Sequence, residues 1–344
     1  MSSPDDRQPR ALAAQASAQD AGSAPYAGLD PGTVLDALDS VGLRGDGRLI
    51  ALNSYENRVY LIHLEEGDAV VAKFYRPHRW TNEQIEEEHA LVEELAGEDI
   101  PAVAPLRLQG RNLHSHAGFR FAVYPRRGGR APELDQPGVL EWIGRFIARI
   151  HAVGARQAFR HRPAISVASL GRESREVLLA GRLISPEIET AWAAAADLAL
   201  EQADRAFAAA AGVRSLRLHG DCHPGNLLWT ESGPHFVDFD DARSGCAVQD
   251  LWMLLSGERA ERSAQLSRLL DGYTQVREFD SAELALIEPL RTLRLIHYSA
   301  WIARRWDDPA FPAAFPWFGT PRYWEERVAE LREQIEEMAA SSLP

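Results

Sequence analysis

Between two apolar runs, the stretch RLHGDCHPGNLLW (Arg217 to Trp229) places His219, Asp221, His223 and Asn226 on a segment that Pro224 and Gly225 keep out of any helix. Asp221 and Asn226 are five positions apart, and twelve residues after Asn226 the apolar run HFVDFDDA delivers Asp238. A β-hairpin from Leu227 to Val237, turning at ESGP, returns Asp238 to the side of Asn226. An amide oxygen beside a carboxylate oxygen is a hard donor set suited to Mg²⁺, which takes few protein ligands and completes its octahedron with water and phosphate. Asp221, held apart from that pair, is then free to accept the proton of an incoming hydroxyl. The chemistry this division of labour implies is phosphoryl transfer.

Transfer from ATP makes two further demands: a lysine on a strand that reaches the nucleotide phosphates, and a glutamate on the next helix to hold it. VVAKFY supplies Lys73, a charge set among apolar strand residues, and the following segment offers Glu86, Glu87 and Glu88. Glu88, three residues after Ile85 and four before Val92, is the expected inward partner, although register alone leaves Glu87 open. Of the remaining polar groups, His219 and His223 read as loop-shaping hydrogen-bond partners. Asp240 and Asp241 read as solvated loop acids outside the metal set, and Cys222 and Cys246 as buried thiols.

The elements that must position these groups divide the chain in two. Helical spacing in Pro31 to Leu43 is followed by a hairpin pattern, Val59 to Leu64 and Ala69 to Phe74 about a Glu-Glu-Gly-Asp turn. A helix N-capped by Thr81 comes next, and AVAPLRL and Phe119 to Pro125 return to strand character. Arg126 to Pro137 is a Gly/Pro/Arg linker, beyond which Leu140 to Gly154, Gln202 to Ala211 and much of Ser281 to Trp306 are helical. The expected fold is therefore α+β and bilobal. Residues 1–30 form a disordered tail, 31–127 a strand-rich nucleotide-binding lobe and 128–344 a mainly helical lobe carrying the catalytic groups.

Composition bounds the function classes. A chain of 344 residues with 45% hydrophobic content can bury a large core. A net charge of -13 argues against a general nucleic-acid binder, and the tryptophans (Trp80, Trp252, Trp301, Trp317) read as packing rather than a stacking platform. The N-terminus lacks the apolar run of a signal peptide and no run spans a bilayer, so a cytoplasmic protein is expected, whose oligomeric state the sequence leaves open, a monomer included.

HGDCHPGN and FVDFDDA together resemble the catalytic loop and metal-binding aspartate of the aminoglycoside phosphotransferase and choline kinase superfamily, whose fold is similar to that of protein kinases. LNSYENRVY, VVAKFYRPHRW, VDFDDARSG, VQDLWMLLSG and DPAFPAAFPWF further resemble a bacterial branch of it that acts as serine/threonine protein kinases in the stress response. The likeness runs from about Leu43 to about Trp324. It implies Asp221 as proton acceptor, Asn226 and Asp238 as Mg²⁺ ligands at the catalytic centre, Lys73 on the α and β phosphates, and Ser54 on ATP. It also implies a hinge at Ala122 to Arg127 and a structural Asp250 that caps its helix and braces the catalytic loop. Two departures stand out. No G-x-G-x-x-G covers the phosphates, and too few residues separate Asp238 from Asp250 for a long activation segment. The expectation is an Mg²⁺- and ATP-dependent kinase acting on Ser/Thr of proteins. A small-molecule kinase (aminoglycoside, homoserine or amino alcohol) is the alternative, and a nucleotide-binding pseudokinase the alternative of another class.

Overall fold

Apolar residues dominate Arg58–Leu64 and fill nearly every position of Val70–Phe74, the pattern of strands buried inside a sheet. In the computed structural model, which describes residues 25–340, they form β2 and β3 of a five-stranded antiparallel sheet ordered β1-β2-β3-β5-β4. The others are β1 (Gly45–Ala51), β4 (His114–His116) and β5 (Phe119–Pro125). Lys73 pairs with Val59 on one side and Ala122 on the other, so it stands in mid-sheet. Helix α1 (Pro31–Ser40), capped by the Asp30 carboxylate accepting from the Thr33 N–H at 2.8 Å, packs Val34, Ala37 and Leu38 with Ile62, Phe74 and Phe121.

Lys73 lies on the opposite face, where α2 (Asn82–Gly97) runs. Thr81 and Gln84 close a reciprocal capping box at its start. The helix does not belong to the small lobe alone, because its Leu91, Val92 and Leu95 join Leu140, Ile143 and Ile147 of α3 (Val139–Gly154) in one core. The large lobe continues through a π-helical turn (Val167–Arg172), α4 (Glu173–Ala180) and α5 (Pro186–Ala209). The antiparallel pair of β6 (Leu216–Leu218) with β9 (Arg243–Gly245) and the hairpin of β7 (Leu227–Thr230) with β8 (Gly233–Phe236) frame the segment from His219 to Asp238. Then come α6 (Gln249–Trp252), α7 (Arg259–Tyr273), α8 (Ile287–Ala303), α9 (Ala310–Ala314) and α10 (Pro321–Ala339). Helices α3 and α7 cross closely enough that a Cβ on Gly144 would strike the Leu269 carbonyl, and one on Gly272 the Glu141 carbonyl.

Several expectations change. AVAPLRL forms no strand; it makes isolated bridges, Ala102 to Phe236 and Leu108 to Arg111, and a single bond from the Leu106 N–H to the Val123 carbonyl. The edge strand β1, rich in Gly, Asp and Arg and largely exposed, carries no apolar alternation that would announce it. The tail expected over 1–30 falls mostly outside the described residues, but its last part is folded. The Tyr26 hydroxyl donates to the Glu56 carbonyl at 2.9 Å and its ring stacks on Phe119 and lies under Arg58. Among the described residues, no helix is long and apolar enough to cross a membrane.

Candidate active site

The loop from His219 to Asn226 leaves β6 and enters β7, and its shape is set by buried polar groups. The His219 and Gly220 N–H groups donate to the Asp250 carboxylate at 2.9 and 2.8 Å, and His151 Nε2 stands 3.0 Å from the same group. Burial alone would raise the Asp250 carboxyl, yet the His151 hydrogen bond and neighbouring charges hold it below the ordinary carboxylate range. Asp250 thus braces the loop but does not cap its helix, because it lies inside the first turn of α6 behind Val248. Gly220 has φ +85° and faces the Asp241 carbonyl so closely that no side chain fits. His219 donates from Nε2 to the Val237 carbonyl at 3.0 Å, and its Nδ1 accepts the Asp221 N–H at 3.3 Å. His223 Nδ1 likewise accepts the Gly225 N–H at 3.0 Å. Cys222 and Cys246 are buried, which pushes the first thiol well up and the second to about 12.

The hairpin brings Asp238 beside Asn226, and Asp221 is tied to Asn226 within the loop. The Val237 N–H donates to the Asn226 carbonyl at 3.1 Å, which sets Asp238 next to the start of β7. Asn226 Nδ2 is committed to the Asp221 carbonyl at 2.9 Å, so its amide oxygen is the end left for a cation. Asp238 adopts a left-handed backbone (φ +58°), an unusual conformation for a side-chain-bearing residue that re-aims its half-exposed carboxylate. One amide oxygen and one half-exposed carboxylate, whose Oδ1 also meets Lys73, are a donor set that fits a hard divalent cation. Asp221 Oδ1 accepts from Arg294 Nη1 at 2.7 Å, and His223 Nε2 is 3.5 Å from its Oδ2. Burial opposes ionisation of Asp221, but His223 and Arg294 outweigh it and hold the carboxyl at about 2.

Lys73 departs from expectation. Its ammonium is 3.0 Å from Asp238 Oδ1 and 3.1 Å from Asp240 Oδ1, and it forms no ion pair with Glu88. Those carboxylates, with Glu88 further off, overcome the burial penalty and raise its pKa. Glu88 is buried as expected, yet its carboxylate meets Arg162 at 2.7 Å. Arg162 also donates to the carbonyls of Gln84 at 2.7 Å and Asp240 at 2.6 Å. Glu87 is not the lysine's partner either, since it accepts the consecutive N–H groups of Arg160, His161 and Arg162 at 2.7, 2.8 and 2.9 Å. The glutamate position therefore fastens α2 to the large lobe instead of orienting the lysine.

Asp240 is buried rather than solvated, and Asp241, though a third exposed, is ion-paired. Asp240 is 3% exposed, bonds Arg79 and accepts from Asn57 Nδ2 at 3.2 Å; Arg79 and then Lys73 hold it at about 2 against burial. Asp241 pairs with Arg79 at 2.8 Å and Arg243 at 3.1 Å. Ser54 lies in the turn between β1 and β2, its Oγ accepting the Asn57 N–H at 3.3 Å. That turn is pinned to the large lobe, because Glu56 takes Trp301 Nε1 at 2.6 Å and Arg305 at 2.7 Å, and Arg76 reaches Asp308 at 2.5 Å. Trp80 sits among Arg162, Arg79 and Arg243, while Trp301 packs on Phe311 and Phe315. Arg79, Arg162, Arg294 and Glu56 were not legible as site residues. The only available signal was a loop of three clustered acids that burial would force to find cations.

The fold and this constellation are those of a kinase-like phosphotransferase. The profile of the phosphotransferase enzyme family matches residues 48–287, and the chain belongs to that family. It is 46% identical over 306 residues to stress response kinase A of Escherichia coli (strain K12), covering 89% of this chain and 92% of that one. It is 45% identical over the same shares to a Salmonella typhimurium protein named serine/threonine protein kinase RdoA. Among solved structures, amicoumacin kinase hAmiN aligns with a TM-score of 0.68 at 20% identity over 91% of this chain and 95% of that one. A microcompartment-associated aminopropanol kinase aligns at 0.66 and 19% over 89% and 95%.

Proposed function

We propose that this protein transfers the γ-phosphoryl group of Mg-ATP to serine or threonine hydroxyls of proteins, as a cytoplasmic kinase in a bacterial stress response. The observation that carries the transfer is the direct joining of Lys73 to Asp238 at 3.0 Å, beside the loop that presents Asp221 and Asn226. Lys73 holds the α and β phosphates, Ser54 and its turn cover them, and Asn226 and Asp238 hold the cation. When bound, Mg²⁺ supplies charge neutralisation on the phosphates. Asp221 orients the acceptor hydroxyl. As the acceptor oxygen bonds to the γ-phosphorus and the bond to the ADP oxygen breaks, the hydroxyl proton passes to Asp221. The names of the relatives support protein acceptors and a stress role.

Purified protein incubated with γ-labelled ATP, Mg²⁺ and a generic protein acceptor, beside Asp221→Asn, tests this. Label on protein Ser or Thr in the wild type alone is expected. Absence of protein label, with ATP still bound and consumed by a metabolite panel, moves the acceptor to small molecules, the class named for hAmiN and the aminopropanol kinase. ATP binding with no acceptor at all would leave a pseudokinase. The intact Asp221 argues against that outcome.

A further inference from the structure

Arg294 projects from α8 onto the one carboxylate that must remain open to an acceptor. Its Nη1 is 2.7 Å from Asp221 Oδ1, the side chain is 44% exposed, and Asp221 is its one polar partner among the described residues. The loop does not need this bond to keep its shape. Asp250 already takes the N–H groups of His219 and Gly220, His219 ties the loop to Val237, and Asn226 holds the Asp221 carbonyl. Nearby cations are differently placed: Arg291 pairs with Glu288, Arg305 with Glu56 and Arg243 with Asp241. Arg294 alone spends its charge on the proposed proton acceptor and keeps its other donors facing outward.

Resting on the phosphotransfer reading of this site, we infer that Arg294 is a specificity residue that recognises an anionic group, a carboxylate or a phosphate, adjacent to the hydroxyl being phosphorylated. With Arg294 on Oδ1 and His223 near Oδ2, both oxygens of Asp221 are engaged before the acceptor arrives. A guanidinium fork matches a carboxylate or phosphate in two parallel hydrogen bonds. An anionic acceptor therefore draws Arg294 away and opens Oδ1 to its own hydroxyl. A neutral acceptor offers no such exchange, and a cationic one meets a like charge. In a protein substrate the anionic group is an acidic side chain flanking the acceptor serine or threonine.

The test uses the full chain with γ-labelled ATP and acceptors matched except for charge. These are one serine peptide flanked by Glu, Ala or Lys, together with glycerate, glycerol and 1-amino-2-propanol. In the wild type, kcat/KM for the anionic member of a set exceeds that for the neutral member by about tenfold or more, mainly through KM. Arg294→Gln brings that ratio to within about twofold, and Arg294→Lys restores part of it because it keeps charge without the fork. ATP affinity, measured in parallel, confirms that the variants are folded. Equal ratios in wild type and Arg294→Gln overturn the inference, as does a preference for neutral or cationic acceptors or a failure to label any anionic acceptor. Arg294-dependent labelling of glycerate with no peptide labelled sustains the inference and overturns the protein-kinase reading.

Discussion

Lys73 and Asp240 stand 3.1 Å apart, both buried, and the partner the lysine finds there comes from the same short loop as Asp238. Lys73 and Asp238 are thereby coupled through a single segment, residues 238–240, and helix α2 is left to other work.

Asp240→Asn should leave the Lys73 and Arg79 cations short of a buried counter-charge. Removing one partner of such a network costs about 3–5 kcal/mol, and nucleotide affinity should fall by about tenfold or more as the lysine loses its position. Glu88→Gln should also cost stability, through Arg162, but leave nucleotide affinity within about threefold. Denaturant unfolding and calorimetry with ATP separate the two. A larger affinity loss in Glu88→Gln than in Asp240→Asn would show that the glutamate positions the lysine after all.

Asp238→Ala removes the half-exposed carboxylate that fits a divalent cation. ATP affinity in the presence of Mg²⁺ should drop by about tenfold or more, toward the value measured with chelator. Calorimetry that returns the same Mg²⁺-dependent gain in wild type and variant contradicts a role for Asp238 in holding the cation.

Gly144→Ala drives a methyl group into the Leu269 carbonyl where α3 crosses α7. The overpacking should cost about 1–3 kcal/mol in urea unfolding. ATP affinity should be unchanged, since the crossing lies in the core of the large lobe; a nucleotide defect would tie it to the cleft.

Glu283 accepts the Val248 N–H at 2.7 Å at the entrance to α6, and burial lifts its carboxyl from 4.5 to about 7. The folded protein thus binds this proton more tightly than the unfolded chain, so the stabilisation is complete below about 4.5 and is lost as pH rises through about 7. Glu283→Gln keeps an acceptor for Val248 without the charge. It should lie within about 1 kcal/mol of wild type at pH about 5 and exceed it by about 3 kcal/mol at pH about 8. Thermal unfolding at the two pH values checks this, and a variant no more stable than wild type at the higher pH would show that Glu283 is not held protonated.

The placement of the segment from Asp221 to Asp238 was legible because its turn signals are local. Asp221, Asn226 and Asp238 fall within one loop and one hairpin, and turn signals place them without knowledge of the rest of the chain. Glu88 was legible as a buried position but not by its partner, because the cation it meets, Arg162, lies 74 residues away on an irregular segment. Arg294 is 73 residues from Asp221 and announces nothing by its spacing on α8. Among the strands, β1 escaped because an exposed edge needs no apolar alternation. Ala102 to Leu108 misled because it touches β8 and β5 only at single points, Ala102 at Phe236 and Leu106 at Val123, rather than along a ladder.

The three N–H groups gathered by Glu87, with Arg162 closing on Glu88 and on the Gln84 carbonyl, act as a rivet between α2 and the large lobe. The same helix also holds the sheet, through His89 on the Tyr75 hydroxyl at 2.7 Å, so it clasps both lobes at once. A sheet that lifts away from the large lobe must break that bond and the links of Glu56 to Arg305 and of Arg76 to Asp308.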